Sequence, residues 1–541
     1  MERGNGLYFI GVDVGTGSAR AGVFDEKGTL LAAESHPIRI WREKPLHVEQ
    51  SSDDIWAAVA SCVRKAVGQS GIGAEHVAGI GFDATCSLVV LDRQGAPLAV
   101  NAEGDNARNI IVWMDHRATP QAKRINETGA GVLDYVGGRI SPEMQTPKLL
   151  WLAEELPRTF DGAGHFLDLT DFLTWRATGS LWRSTCTVTC KWTYLAHEDR
   201  WDPDYFRQVG LGRLADEGFE RIGNRICPPG TAIPGSLRDT AADELGLNPG
   251  TAVAVGLIDA HAGALGTLGA EGLDGTLEQR LAYVFGTSAC TLNVGAEPAF
   301  VPGVWGPYHS ALVPGLWLNE GGQSAAGAAI DHLVRQHGLA AETGKKAQAE
   351  GMGLTAWLER RATALLRQRS FGEIVGGLHV VAEFLGNRAP FADPDARAVI
   401  AGLDMAQDEE SLVRLYLAGV ASIGYGLRQI AETLRDKGAD LKQVVISGGA
   451  GRSPLVRQIL ADATGLSIAT CASPEPVLLG SAMTAAVAAG HQPDLRTAMS
   501  ALSRMDQATT PDREQAPLHA RRYDAFTALQ DMERRLRQDA F

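Results

Sequence analysis

Three times along this chain an apolar strand runs straight into a turn of glycine and small hydroxyl residues. Leu7-Tyr8-Phe9-Ile10-Gly11-Val12-Asp13 leads into Val14-Gly15-Thr16-Gly17-Ser18. Ala282-Tyr283-Val284-Phe285 leads into Gly286-Thr287-Ser288, and Val444-Val445-Ile446-Ser447 into Gly448-Gly449-Ala450-Gly451. Glycine lets a backbone approach a ligand closely, and exposed N–H groups beside Thr and Ser hydroxyls suit phosphate oxygens. A carboxylate at the strand end, such as Asp13, can hold a hydrated Mg²⁺ beside those phosphates. One such turn alone is an ordinary hairpin or loop. Three at equivalent strand ends suggest two related halves, around 1–265 and 266–495, that face a cleft.

The same residues exclude the commoner phosphate folds. A Rossmann turn needs a third glycine where Arg20 stands, followed by a helix. Here Ala19 to Asp25 reads as a second strand, so the start is a β-meander. No G-x-x-x-x-G-K-[ST] stretch occurs, which removes P-loop chemistry. The third turn does precede a helical pattern, Leu455 to Ala463, whose N–H groups can meet a nucleotide. A further apolar strand, Ala252 to Ile258, ends at Asp259. Asp53 to Val67 has helical spacing, with Ser52 or Asp53 as N-cap. Beyond 495 the tail (496–541) is charged, and Tyr523 to Leu536 predicts a peripheral helix without chemistry.

Composition narrows the partners. The 541 residues carry 50 Lys and Arg against 64 Asp and Glu, a net charge of −14. Nucleic-acid binding needs concentrated positive charge, so that class is set aside. The seven cysteines are odd in number and scattered, which reads as reduced thiols of a cytoplasmic protein. Cys186 and Cys190 match no zinc pairing, and no His pair lies at ligand spacing beside them. Met1 to Gly6 leads to Asp13 too early for a signal peptide. Val477 to Gly490, the longest largely apolar stretch, is too short to cross a bilayer.

Taken in order, Asp13-Val14-Gly15-Thr16-Gly17-Ser18-Ala19-Arg20, Trp113-Met114-Asp115-His116-Arg117, Gly256-Leu257-Ile258-Asp259-Ala260-His261-Ala262-Gly263 and Gly448-Gly449-Ala450 resemble the FGGY carbohydrate kinases over roughly residues 7–495. The resemblance implies an α/β, actin-like fold: two ribonuclease-H-like domains with ATP and sugar meeting in the cleft between them. It implies that Gly15, Thr16, Gly17 and Ser18 hold the ATP β/γ-phosphates, with Gly286 and Thr287 as the second phosphate turn. Gly327, Gly449, Ala450 and Ser453 match nucleotide-contacting positions; glycerol kinases carry Asn where Ser453 stands. Asp13 and Asp259 would support Mg²⁺ through water.

Asp259 matches the family's catalytic base. A carboxylate deep in a cleft can take the proton of a sugar hydroxyl attacking the γ-phosphate, and the rest of phosphoryl transfer is positioning and charge stabilisation. The plainer reading makes Asp259 a helix cap before Ala260-His261-Ala262. His261 reads as a packed cleft residue or a second base. Asp115-His116-Arg117 reads as a buried ion pair bracing the sugar pocket or as a direct sugar contact.

The loop Gly81-Phe82-Asp83-Ala84-Thr85-Cys86-Ser87 departs from the Arg-Glu of glycerol kinases and the Gln-Met-His of xylulokinases. It looks like the ribulokinase side, most like the D-ribulokinase branch, and so does the run Tyr135 to Met144. That resemblance places Asp83, Thr85, Cys86, Lys191, Asp259 and Glu320 at the sugar; otherwise Lys191 and Glu320 are paired or solvated charges. The activity implied is ATP-dependent phosphorylation of D-ribulose, with L-ribulose, ribitol or xylulose as alternative substrates. A silent actin-like sugar sensor is the alternative of another class. Homodimers are common among relatives.

Overall fold

The computed structural model describes residues 6–539; Met1–Asn5, part of the opening read above as lacking a signal peptide, lie outside them. The first sheet is built from β1 (Tyr8–Val14), β2 (Ser18–Asp25), β3 (Leu30–Pro37), β4 (Val77–Ala84), β5 (Ala252–Val253) and β6 (Leu257–Ile258). Its order is β5-β4-β1-β2-β3, with β6 also on β4. β1 is buried along its whole length, which explains its unbroken apolar run: both faces of the sheet are covered. Register then fixes the chemistry. Asp13 stands opposite Arg20 on antiparallel β2 and beside Asp83 on parallel β4.

The second sheet repeats that plan. β7 (Arg280–Phe285) pairs antiparallel with β8 (Ala289–Gly295), and parallel with β11 (Gln443–Ser447). β9 (Trp305–His309) and β10 (Trp317–Gln323) extend one side; β12 (Ser467–Cys471) and β13 (Met505–Thr509) extend the other. The mixed α/β architecture is the one expected.

Four details differ from the sequence reading. The first helix, α1 (Ser52–Ser70), is capped by Ser51, whose hydroxyl accepts from the Asp54 amide at 3.3 Å. Ser52 already lies inside the helix. The expected strand 252–258 is interrupted after Ala254, whose N–H still bonds Ile80 O on β4, because Val255 N–H goes to Thr231 O instead. The tail is not purely helical, since β13 forms the second sheet's edge. Nor is its helix merely peripheral: His519, Arg522, Phe526 and Gln530 are buried, and Tyr425 Oη lies 2.9 Å from His519 Nδ1.

Two helices join the halves. α3 (Asp259–Leu268) crosses α7 (Pro476–Ala488), the stretch that was too short for a bilayer. The contact is backbone to backbone: a Cβ at Gly480 would stand 1.9 Å from Ala262 O. α7 also packs on the first sheet, where a Cβ at Gly11 would meet Leu478 O at 1.9 Å. Among the described residues no helix is long and apolar enough to cross a membrane.

Candidate active site

Strand ends from both sheets open on one cleft cavity of ≈ 330 Å³. Asp13, Gly15, Thr16, Thr85, Cys86, Lys191, Asp259, Gly286, Thr287 and Glu320 all line it, although they come from six separate parts of the chain. A second cavity of ≈ 640 Å³ adjoins it at Arg20, Val284 and Val477, and there Gly449 forms the wall.

Each turn is closed by a bond from its first glycine's amide, reaching three residues on in the first turn and two in the second. Gly15 N–H donates to Ser18 O at 3.0 Å, and Gly286 N–H to Ser288 O at 2.9 Å. Trp113 Nε1 donates to Thr16 Oγ1 at 2.9 Å, and Gln50 Nε2 to Thr16 O at 2.8 Å, which fixes the first turn from outside. The second turn receives two amides on Thr287 O, from Ala326 and Ala328. Gly327 lies between them, where a Cβ would stand 2.8 Å from Gly286 O. Its glycine therefore seats the helix α4 (Gly327–Arg335) against the turn.

Other expected contacts sit behind the walls. Asp83 is fully buried and does not line the cavity; Ser481 Oγ donates to its Oδ2 at 2.6 Å. Burial, reinforced by the Asp13 charge, pushes its carboxyl well above the usual range. Gly17, Ser18 and Ala450 do not line either cavity. The Ser453 hydroxyl is engaged elsewhere: it caps α6 (Pro454–Thr464) through Val456 N–H and donates to Glu359 Oε1 at 2.6 Å.

Asp259 begins α3, and its Oδ1 accepts the Ala260 amide at 2.7 Å. Both readings of this residue therefore meet in one side chain: it interacts with the helix start and also faces the cavity. Burial first, and the Asp13 charge second, push its carboxyl up to about 6. Such a group is ionised at neutral pH and still able to accept a proton, which suits a general base.

Lys191 and Glu320 form a buried pair across the cavity, Nζ to Oε2 3.4 Å. Burial is the largest influence on each and works against its charge, but the partner and the other neighbouring groups together outweigh it, so the ammonium is held above and the carboxyl below its ordinary range. Lys191 Nζ also lies 4.4 Å from the centre of the Trp305 ring. The remaining motif resolves as an ion pair. Arg117 Nε donates to both Asp115 oxygens at 2.9 Å, and Nη2 to Glu49 Oε1 at 2.8 Å, all away from the cavity.

Sequence reasoning missed Arg20, Glu143, Trp305 and Arg388 as cavity residues. Arg20 bonds Asp13 and, through Nη1, Glu475 at 2.7 Å. A cation directly across a hairpin from a strand-end acid was a legible signal. Arg388 and Trp305 carried none, because they enter from the second half on segments without a motif.

Two matches cover most of the chain. Residues 8–266 match the FGGY family of carbohydrate kinases, N-terminal domain, and residues 281–489 its C-terminal domain. The chain belongs to the FGGY family of carbohydrate kinases. This kinase is 45% identical over 530 residues, 96% of each chain, to an FGGY carbohydrate kinase domain-containing protein of Homo sapiens. It is 38% identical over 491 residues to a D-ribulokinase of Saccharomyces cerevisiae, covering 85% of this kinase and 69% of that protein. In fold it resembles a ligand-bound xylulose kinase from Lactobacillus acidophilus, with a TM-score of 0.80 at 20% identity over 97% and 98% of the two chains. The sugar kinase therefore has the two-domain actin-like ATPase fold, with ATP and a sugar as substrates.

Proposed function

We propose that this kinase phosphorylates the 5-hydroxyl of D-ribulose, with Asp259 as general base. The observation that carries the reading is the shared cavity: a buried carboxyl near 6, two phosphate-type turns and a charged Lys191–Glu320 pair within ≈ 330 Å³. An open-chain ketopentose offers a carbonyl and several hydroxyls, which charged donors and acceptors grip strongly. The D-ribulokinase relative favours D-ribulose over other pentuloses.

In the reaction, Asp259 takes the proton of the 5-hydroxyl as that oxygen forms a bond to the γ-phosphorus. The bond from the γ-phosphorus to the β,γ-bridging oxygen breaks, and ADP leaves. Lys191 and Glu320 hold the sugar, while the 15–16 and 286–287 turns hold phosphate oxygens. The Asp13 charge acts on the Asp259 carboxyl, and two neighbouring carboxylates are a donor set that fits a hydrated Mg²⁺. Mg²⁺ would supply charge neutralisation on the phosphates.

The test is ADP release by the purified protein with D-ribulose, L-ribulose, D-xylulose and ribitol. D-ribulose should give the highest kcat/KM. A higher value for any of the others overturns the substrate assignment.

A further inference from the structure

Behind the Lys191–Glu320 pair, the fold assembles a ligand set that no spacing announces. Cys186 and Cys190 lie on α2 (Thr185–Trp192), and His261 on α3, yet one donor atom of each falls within 4.8 Å of the other two. All three side chains are fully buried. No His pair lies at ligand spacing beside Cys186 and Cys190 in the sequence; the one imidazole arrives from 71 positions along the chain.

We propose that this cluster is a Zn²⁺ site, Cys186-Cys190-His261 with Glu320 as fourth ligand, and that zinc there withdraws Glu320 from the sugar. Three observations support it. Cys190 Sγ lies 3.6 Å from His261 Nε2. Zn–S and Zn–N bonds of ~2.3 and ~2.1 Å at a tetrahedral angle put the two ligands ~3.6 Å apart. Glu320 Oε2 lies 4.0 Å from His261 Nε2, while its contact to Lys191 is slack at 3.4 Å, longer than the ~2.8 Å of a tight charged hydrogen bond.

Charge also balances. Zn²⁺ replaces two thiol protons, which leave to solvent, so the buried region keeps its net charge with Glu320 and Lys191 still opposed. The Ile258 amide lies 3.5 Å from Cys186 Sγ and is oriented to donate to it.

The experiment titrates the reduced full-length protein with Zn²⁺, and with Co²⁺ as a spectroscopic probe. One equivalent of zinc should survive dialysis, and Co²⁺ should give thiolate charge-transfer and tetrahedral d–d bands in the wild type. Cys190→Ala, Cys186→Ser and Glu320→Gln should each weaken binding at least about tenfold. Cys62→Ala, remote from the cluster, should leave binding unchanged. Absence of bound metal, or binding that Cys190→Ala or Glu320→Gln does not weaken, overturns the site. The effect on sugar rests on the D-ribulose reading: zinc should raise the KM for D-ribulose at least about tenfold without changing that for ATP, and an unmoved KM overturns that half. Failure of the sugar assignment would leave the cobalt bands intact, so the two are separable.

Discussion

The two glycine turns of the cleft occupy equivalent places in their sheets but stand in different company. Each joins the first two antiparallel strands of its sheet, and each first strand pairs in parallel with a strand that enters later. The first turn is flanked by charge: Asp13 and Arg20 across the hairpin, Glu475 on Arg20, and Asp83 buried beside Asp13. Around the second stand Val284, Gly286, Thr287 and Ser288, with no ion pair among them. Backbone geometry alone can cradle a phosphate, so the difference predicts a division of labour. The second turn offers donors, and the first adds a fixed field of carboxylates and a guanidinium that can hold a cation and tune Asp259.

The largest expected effect removes the group on which that field acts. Asp259→Asn should lower kcat by ~10²–10⁴-fold, the usual worth of a general base, with ATP-analogue and sugar binding retained. A variant keeping more than about a tenth of wild-type kcat, under ~1.4 kcal/mol of barrier, would remove Asp259 from the chemistry.

The contrast itself is broken by mutating one turn at a time. Asp13→Asn should cost ~10²-fold in kcat/KM for ATP, as loss of a preorganised charge does. Thr287→Ala removes a neutral hydrogen bond of ~0.5–1.5 kcal/mol, ~2- to 13-fold. Equal losses would mean that the two turns do the same job. For the sugar side, Lys191→Met should weaken D-ribulose use by ~10–10²-fold, the worth of a charged hydrogen bond, with the KM for ATP unmoved. Steady-state kinetics with each substrate varied in turn separates that from a general loss of structure.

Proton linkage sharpens the same contrast. Asp259 must be ionised to accept a proton, so kcat/KM for D-ribulose should rise as pH increases through about 6 and then level. Because the Asp13 charge is part of what raises that carboxyl, Asp13→Asn should move the acid limb to lower pH. Thr287→Ala should leave the limb in place.

The smallest effect is on stability. The first half also buries Asp168, pushed up to about 7 by burial and by the Asp171 charge. Its folded form binds protons more tightly than the unfolded chain, so stability is lost as pH rises from the ordinary carboxylate range towards 7. Asp168→Asn removes the charge, and an amide oxygen in the place of Oδ2 can still accept from Gln145 and Trp192. Its Tm should exceed that of wild type by several degrees at pH 8, for a gain of ~1–3 kcal/mol, with the difference vanishing in acid. A Tm below wild type at both pH values would contradict this.

What the sequence by itself determined were features written within a few residues: the glycine turns, the apolar strands that lead to them, and Asp259 at a strand end. Those depend on backbone conformations and short periodicities, which a local stretch encodes. Tertiary structure decided which of the named groups line the cleft cavities. Asp83 stood in an informative loop but lies behind Asp13, because parallel register placed it beside that residue and α7 closed over it. Ser453 sat at a plausible nucleotide position but its hydroxyl caps its own helix. Arg388, Trp305 and the meeting of Cys186 and Cys190 with His261 have no local signature. Their proximity follows from two sheets clasped by α3 and α7, whose glycines let backbones touch, and such long-range packing is the sum of many weak contacts that no short stretch of chain records.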